Sequence, residues 1–251
     1  MNTPASRPAV QVQALHKSFG QQHVLDGIDL AVAQGETLAI LGQSGTGKSV
    51  LLKLLIGLQQ PDAGSICIHG QEVAGIAVKQ MNDIRRKIGF VFQSAALYDS
   101  MTVADNVAFP LKRFAHLSGS ECSSQVQQLL ASVGMEGQQE KMPEQISGGM
   151  KKRVGLARAL ALSPDILLFD EPTTGLDPIT SAEIGELILK LQRERHVAAI
   201  IVTHDVQLAR AVANRLALLR EGRILVAGTF DELTHSHEAF VTQFLKSSSE
   251  G

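Results

Sequence analysis

Hydrophobic positions along the chain change period several times, and each change predicts an element. Val10, Val12 and Ala14 alternate with Gln11 and Gln13, and Ile28, Leu30 and Val32 repeat the pattern around Asp29 and Ala31. A period of two belongs to half-exposed strands, here an antiparallel pair with Phe19-Gly20 between its members. Thr37 to Leu41, Ile166 to Phe169 and Ala198 to Val202 are instead nearly unbroken apolar runs, as in strands buried on both faces. Ser65 to His69 follows the turn signal Pro61-Asp62-Ala63-Gly64 and reads as a strand, and Ile88 to Phe92 is apolar and β-prone. Helical spacing recurs in Leu51, Leu54, Leu55 and Leu58, in Val126, Leu129, Leu130 and Val133, and in Val154, Ala157, Arg158 and Ala161. It returns in Ile184, Leu187, Ile188 and Leu191, and in Leu208, Ala209, Val212 and Ala213. Leu216 to Leu219 and Ile224 to Val226 read as a hairpin across Glu221-Gly222, and Thr229 with Glu232 forms a capping-box pattern for a final short helix. Buried strands alternating with helices place the chain in the α/β class.

Between Ser94 and Gly137 the pattern turns mostly helical, punctuated by Pro110 and Ser118-Gly119-Ser120, and reads as an insertion in the α/β core. No heptad run is long enough for a coiled-coil arm. The expected organisation is one unit over 8–246, with its core in 8–93 and 163–228. A helical subdomain in 94–162 and a C-terminal helix in 229–246 complete it, and 247–251 is expected to be a disordered tail. At 251 residues, 44% hydrophobic and 19% charged, the chain has the usual make-up of a soluble globular protein. A net charge of -2 gives no general nucleic-acid footprint. Cys67 and Cys122 are too few for a disulfide framework and lack metal-site spacing. Met1 to Pro8 lacks the apolar middle of a signal peptide, and runs such as Val197 to Val202 are far short of a membrane span. The expectation is a cytoplasmic protein that meets a membrane only through a partner.

The chemistry centres on Gly42-Gln43-Ser44-Gly45-Thr46-Gly47-Lys48-Ser49, which reads G-x-x-x-x-G-K-S between a buried strand and a helix start. Unpaired N–H groups and the helix dipole favour an anion there. Lys48 would reach the β- and γ-phosphates of a nucleotide, and Ser49 would ligate Mg²⁺. The run from Ile166 ends in Asp170-Glu171, the usual second half of such a site. Asp170 would hold Mg²⁺ through water and Glu171 would polarise the hydrolytic water as general base. Gln93 either merely terminates a strand or touches Mg²⁺ or the attacking water, and Phe19 either stacks on a nucleobase or plugs a hairpin. His204 follows a buried strand on the side where open α/β sheets bind ligands, although a lone histidine there is more often a satisfied structural residue. Ser147-Gly148-Gly149 opens a helix, as a second anion-binding start or as a simple cap. Lys151-Lys152-Arg153 reads as a solvated helix face, yet positive charge in a first turn opposes the dipole unless an anion is near. His235 and His237 read as an exposed polar tail rather than a metal pair.

Taken in order from about Val10 to Leu233, these pieces resemble an ATP-binding cassette (ABC) ATPase subunit. The resemblance implies a P-loop NTPase (RecA-like) core with an antiparallel β subdomain and a helical subdomain insertion. It assigns Phe19 to adenine stacking, Gly42 to Ser49 with Val50 to the nucleotide, and Gln93 to the Q-loop. Ile146-Ser147-Gly148-Gly149-Met150 becomes the signature motif, Asp170 and Glu171 the Walker B acid and catalytic glutamate, Thr174 to Asp177 the D-loop, and His204 the switch histidine. ATP and Mg²⁺ are the implied ligands. Ser49, Gln93 and Asp170 would face the metal, and Lys48, Gln93, Glu171 and His204 the reaction. Two copies would pair head to tail, each ATP lying between one phosphate loop and the other copy's Ser147, Gly148, Gly149 and Asp177. Hydrolysis would then drive a multispanning permease.

The signature departs from the commonest L-S-G-G-Q at Ile146 and Met150, the latter an apolar thioether in place of an amide. With Ser49 to Leu58, Phe92 to Val103 and Ser147 to Val154, the chain resembles the subgroup paired with MCE-domain proteins. The Mla (maintenance of lipid asymmetry) phospholipid transporters of the Gram-negative envelope belong to it. That resemblance implies a phospholipid cargo, an MCE-domain protein and a small STAS-domain protein as further partners, and a peripheral place on the cytoplasmic side of the inner membrane. The energy subunit of another ABC importer or exporter would carry the same core motifs. A non-transport ABC ATPase would show tandem cassettes or a coiled-coil arm, and neither is present.

Overall fold

The computed structural model describes residues 7–115 and 117–247. The chain opens with β1 (Val10–Phe19), β2 (Gln22–Val32), β3 (Thr37–Leu41), α1 (Lys48–Leu55), β4 (Ala63–Ile68) and β5 (Gln71–Glu72). Next come α2 (Val78–Arg86), β6 (Ile88–Val91), α3 (Val103–Phe114), α4 (Gly119–Ser132) and α5 (Gly148–Ala159). β7 (Ile166–Asp170), α6 (Pro178–Arg195), β8 (Ala198–Thr203) and α7 (Val206–Val212) alternate. The hairpin β9 (Arg215–Arg220) and β10 (Arg223–Gly228) precedes α8 (Phe230–Thr234) and α9 (Ala239–Ser247).

Among the described residues the strands form two sheets. One is four-stranded in the order β2-β1-β4-β5, with every pairing antiparallel. The other is six-stranded in the order β10-β9-β3-β8-β7-β6, parallel from β9 to β6, with β10 antiparallel at its edge. This is the α/β class read from the sequence, with antiparallel strands beside a parallel core and helices inserted between β6 and β7.

The unbroken apolar runs arise because the central strands are covered on both faces. In β7, Ile166 and Leu168 join one hydrophobic cluster, with the β1–β2 strands and α1, while Leu167 and Phe169 join another, with α3, α4 and α5. In β8, Ala198, Ile200 and Val202 take the first side and Ala199 and Ile201 the second. The register then levels the strand ends. Leu41 pairs with Thr203, Val202 with Asp170, and Phe169 with Val91. The residues that follow each strand therefore emerge along one edge of the sheet, the ligand side of an α/β fold.

Several local expectations shift. Pro110 was read as punctuation, yet it lies inside α3. Proline removes a helical hydrogen bond. The buried face Val103, Val107 and Leu111 runs straight across it, and Asn106, wholly buried, ties the helix to the preceding loop through Tyr98, Met101 and Thr102. α2 escaped notice because only Met81 and Ile84 on it are buried, too sparse a pattern to show a period. The C-terminal helix is two helices. α8 carries the Thr229–Glu232 capping box, and α9 packs Val241, Phe244 and Leu245 against the cluster around Leu216 and Leu218. Ser247, expected in the tail, ends α9, and the remainder of that tail, 248–251, lies outside the described residues. His235 is tied by its ring to the Asp231 carbonyl, and among the described residues no cluster of histidine, cysteine or acidic side chains could hold a metal. None of the described helices is long and apolar enough to cross a membrane.

Candidate nucleotide-binding site

β3 ends at Leu41, and Gly42 to Gly47 turn the chain into α1. Gly47, at φ 102°, is the residue before the helix, and a Cβ there would meet the Val24 carbonyl at 2.9 Å. Only glycine suits that backbone and that contact. No side chain caps α1, so its leading N–H groups face the loop without an internal partner. Lys48, 5% exposed, donates to the carbonyls of Gly42 (2.7 Å) and Gln43 (3.0 Å), and lies 3.3 Å from Glu171 Oε1. Those three acceptors match the three donors of an ammonium. Thr46 Oγ1 donates to the Gln43 carbonyl at 2.9 Å, stiffening the loop from behind. Ser49 Oγ donates to Asp170 Oδ1 at 2.8 Å, bringing together two of the three residues expected to face the metal.

Glu171 sits just beyond β7 at φ 48°, a left-handed conformation costing roughly 1–2 kcal/mol for a residue with a Cβ. Its N–H donates to the Val202 carbonyl at 2.9 Å. Its carboxylate is nearly buried, and Oε2 accepts from Thr203 Oγ1 and the His204 N–H, each at 3.3 Å. The His204 ring lies closest, its Nδ1 at 2.8 Å from the same oxygen. A carboxylate only accepts, so Nδ1 carries the hydrogen in this bond. Strain at a residue held from four sides is the pattern of a functional position.

These groups line one cavity of about 450 Å³. Ser44, Gly45, Gly47, Lys48, Ser49 and Val50 form its floor, Gln93, Glu171, Thr174 and His204 one wall, and Phe19 with Val24 its mouth. The Phe19 ring is 47% exposed, with the Lys17 ammonium 5.4 Å from its centroid, so it is not a buried hairpin plug. A larger groove of about 520 Å³ runs between α6 and α7, lined by Leu176, Gly185, Leu189 and Leu208 among others, but no comparable set of polar groups converges there. The smaller cavity holds the chemistry.

Of the residues predicted to meet a nucleotide, Gly42, Gln43 and Thr46 shape the loop without lining the cavity, and Ser147, Gly148, Gly149 and Asp177 belong to other helix starts. Ser147 caps α5, its Oγ accepting from the Met150 N–H at 3.2 Å, and Ser147 and Gly148 are exposed. Gly149 is buried against α6, where a Cβ would meet Thr180 Cγ2 at 2.6 Å. Asp177 caps α6, accepting from the N–H of Thr180 at 3.0 Å and from its hydroxyl at 2.6 Å, and these bonds hold its carboxyl below the usual range. Met150 is half-buried and packs against the α3–α4–α5 core instead of extending the exposed start of the helix.

The basic run is not a solvated face. Arg153 donates to the Val133 carbonyl at 3.1 Å and to Glu183 at 2.9 Å. Lys152 is 7% exposed and donates to the main-chain carbonyls of Gln93 and Glu171. Burial pulls its pKa below the lysine value, against the opposing pull of Glu171 and Asp170. Sequence reasoning missed this residue. The visible signal was a positive charge near a helix start, where the dipole disfavours it.

A family model described as "ABC transporter" matches residues 25–174. The chain is 42% identical over 237 residues to the probable ribonucleotide transport ATP-binding protein mkl of Mycobacterium bovis, covering 94% of this chain and 66% of that relative's length. It is 40% identical over 238 residues to the methionine import ATP-binding protein MetN 2 of Bacillus cereus, covering 94% of this chain and 70% of the relative. Among solved structures it is similar to the dimeric post-hydrolysis state of the ATP-binding cassette MJ0796 bound to ADP and Pi. The TM-score is 0.81 at 33% identity, over 88% of this chain and 98% of that one. It is also similar to cbiO1 of Clostridium perfringens, part of the ABC transporter complex cbiONQ, with a TM-score of 0.85 at 30% identity, over 96% of each chain.

Proposed function

This chain belongs to the ABC transporter family of ATP-binding cassettes, and we propose that it is the ATP-hydrolysing subunit of a transporter, paired head to tail beneath a multispanning permease. The observation that carries this reading is the grouping of Lys48, Ser49, Glu171 and His204 around one cavity, with Asp170 bonded to Ser49 behind them. Phosphate oxygens would take the place of the Gly42, Gln43 and Glu171 oxygens around the Lys48 ammonium, with the uncapped start of α1 binding the same charge. Released from Lys48, Glu171 accepts the proton of the attacking water, and His204 steadies the γ-phosphate. Ser49 Oγ and the Asp170 carboxylate, with the Gln93 side chain facing the same cavity, are hard oxygen donors suited to Mg²⁺, which supplies charge neutralisation at the phosphates. The exposed Ser147 and Gly148 are free to meet the ATP of a second copy, with Leu176, the residue before Asp177, against Gly148.

The permease contact is assigned to a groove of about 480 Å³ whose walls include Phe90, Phe92, Tyr98, Phe109, Phe114 and Arg86. Phe92, Tyr98, Phe109 and Phe114 are exposed there, a cluster typical of an interaction site. The segment after Gln93 contributes Ala96 and Tyr98 to this groove, and its likeness to MCE-associated ATPases supports phospholipid as cargo, MCE- and STAS-domain proteins as further partners, and a peripheral place on the cytoplasmic side of an inner membrane. The names of the mycobacterial and Bacillus relatives support a second reading, an importer of a small polar solute.

Two measurements test these layers separately. The purified chain should hydrolyse ATP with Mg²⁺, and Glu171→Gln should bind ATP and turn it over about 10²–10⁴ times more slowly. Purification of the native membrane complex, with mass spectrometry of its proteins and lipids, should return a permease with an MCE-domain protein. Recovery of an amino-acid or nucleotide permease instead would sink the lipid assignment and leave the ATPase standing.

A further inference from the structure

The buried ammonium of Lys152 has no carboxylate within ion-pair distance among the described residues, and its acceptors are two main-chain oxygens. Such a charge is costly to bury, and an apolar side chain of similar length would fill the same space without that cost. What the ammonium adds is a connection. Its acceptors belong to Gln93, beyond β6, and Glu171, beyond β7, and both residues line the candidate site. The donor stands on α5, whose first residues are the signature glycines, Gly148 exposed and Gly149 buried.

The surrounding contacts make the connection rigid. Arg158, on the same helix, donates to the carbonyls of Ala95 and Ala96 at 2.7 Å each, and both alanines have positive φ, 61° and 45°. A Cβ on Gly155 would sit 3.2 Å from Ala95 Cβ, so the helix and the segment touch between the two basic residues. Glu171 is pinned on both sides, its N–H by Val202 and its carbonyl by Lys152. Without the Lys152 bond, one of the restraints on a left-handed residue is gone, and the main chain that aims its carboxylate is held less firmly.

We propose that Lys152 is a positioning residue for hydrolysis, joining the main chain of Gln93 to that of Glu171 so that the amide and the carboxylate reach one γ-phosphate together. The proposal rests on the ATPase reading above. Its test is a series at one position, K152R, K152Q and K152M, in the full-length chain, with K151M on the same turn as control. Turnover should fall in that order, K152R staying within about threefold of wild type and K152M losing about tenfold to a hundredfold. The affinity for a fluorescent ATP analogue should stay constant throughout, and K151M should match wild type. In single turnover, K152M added to Glu171→Gln should slow the reaction by less than about twofold, because its effect passes through that carboxylate. If K152M does not fold, the order of K152R over K152Q at equal nucleotide affinity still decides. A flat kcat across the series, a loss of affinity in step with kcat, or full additivity with Glu171→Gln would overturn the proposal. A wild-type chain that binds ATP and never hydrolyses it refutes the ATPase reading and removes the proposal with it, whereas the other failures occur in an active enzyme.

Discussion

Two glycine-rich helix starts lie in this chain, and they are finished in opposite ways. At α1 the loop wraps the helix end, Gly47 and Lys48 are buried, and no side chain caps the first N–H groups. At α5 Ser147 supplies its own cap through the Met150 N–H, and Ser147 and Gly148 stand in solvent and do not line the cavity. The first start is surrounded by what a Mg²⁺-bound phosphate would need: a lysine for the anion, a hydroxyl and a carboxylate for the cation, and a second carboxylate with a histidine beside them. The second has only its own backbone and one hydroxyl. The same local motif is thus a nearly complete half-site in one place and an unmatched surface in the other, and the difference is made by strand register, which brings Gln93, Glu171 and His204 to the edge where α1 begins.

The largest effects should come from breaking the first start. Lys48→Ala removes the cation that bridges the loop carbonyls and Glu171, and should abolish measurable nucleotide binding together with turnover. Glu171→Gln keeps shape and size but cannot accept a proton, so turnover should fall by about 10²–10⁴ with ATP still bound. Equilibrium binding beside single-turnover hydrolysis separates the two. A Glu171→Gln chain that loses ATP affinity as severely as Lys48→Ala would mean that the carboxylate organises the loop rather than the water.

The second start is broken by Ser147→Arg, which adds bulk and charge at an exposed position and leaves the cavity untouched. ATP binding by the single chain should be retained and hydrolysis lost. The sharper experiment mixes this chain with Lys48→Ala. In a head-to-tail pair both lesions fall on one site, and the other is assembled from an intact loop and an intact signature. Hydrolysis should therefore reappear on mixing two inactive proteins. Mixtures that stay inactive while heterodimers form would show that the two starts do not complete one another across copies.

The legibility of these features follows their physics. The strand–loop–helix at Gly42 to Ser49 is local in sequence, so period and glycine spacing revealed it, as did the acidic pair after Phe169. Fold class was legible because both-face burial of β3, β7 and β8 writes itself as unbroken apolar runs. Lys152 was not legible, since its acceptors are carbonyl oxygens, which every residue carries, at sequence distances of 59 and 19. α3 was obscured by Pro110, where packing of Val107 and Leu111 outweighs the missing N–H, and α2 by a polar composition that hides a helix only two of whose side chains are buried. The role expected of Asp177 toward a nucleotide was drawn from resemblance, and its visible task is to cap α6.

The smallest expected effect separates capping from ligand contact. Ser118 caps α4 as Ser147 caps α5, but α4 has Glu121 in the third position, returning a bond to the Ser118 N–H at 2.9 Å, whereas α5 has Met150 there. Each serine replaced by alanine should cost about 1 kcal/mol in urea unfolding at neutral pH. The pH dependence should differ. The Ser118 hydroxyl and N–H hold the Glu121 carboxyl below its ordinary pKa. A depressed folded value means that this stabilisation is present above the unfolded pKa and disappears as pH falls through the folded one. The stability gap between wild type and Ser118→Ala should therefore narrow in acid, while the gap for Ser147→Ala should stay level because Met150 does not titrate. Ser118→Ala should hydrolyse ATP as wild type does. Ser147→Ala should lose turnover beyond what its equal loss of stability explains, and that excess measures what the hydroxyl does for the second copy's nucleotide. Equal turnover in the two variants would reduce Ser147 to a cap and leave the contact across copies to the glycine backbone.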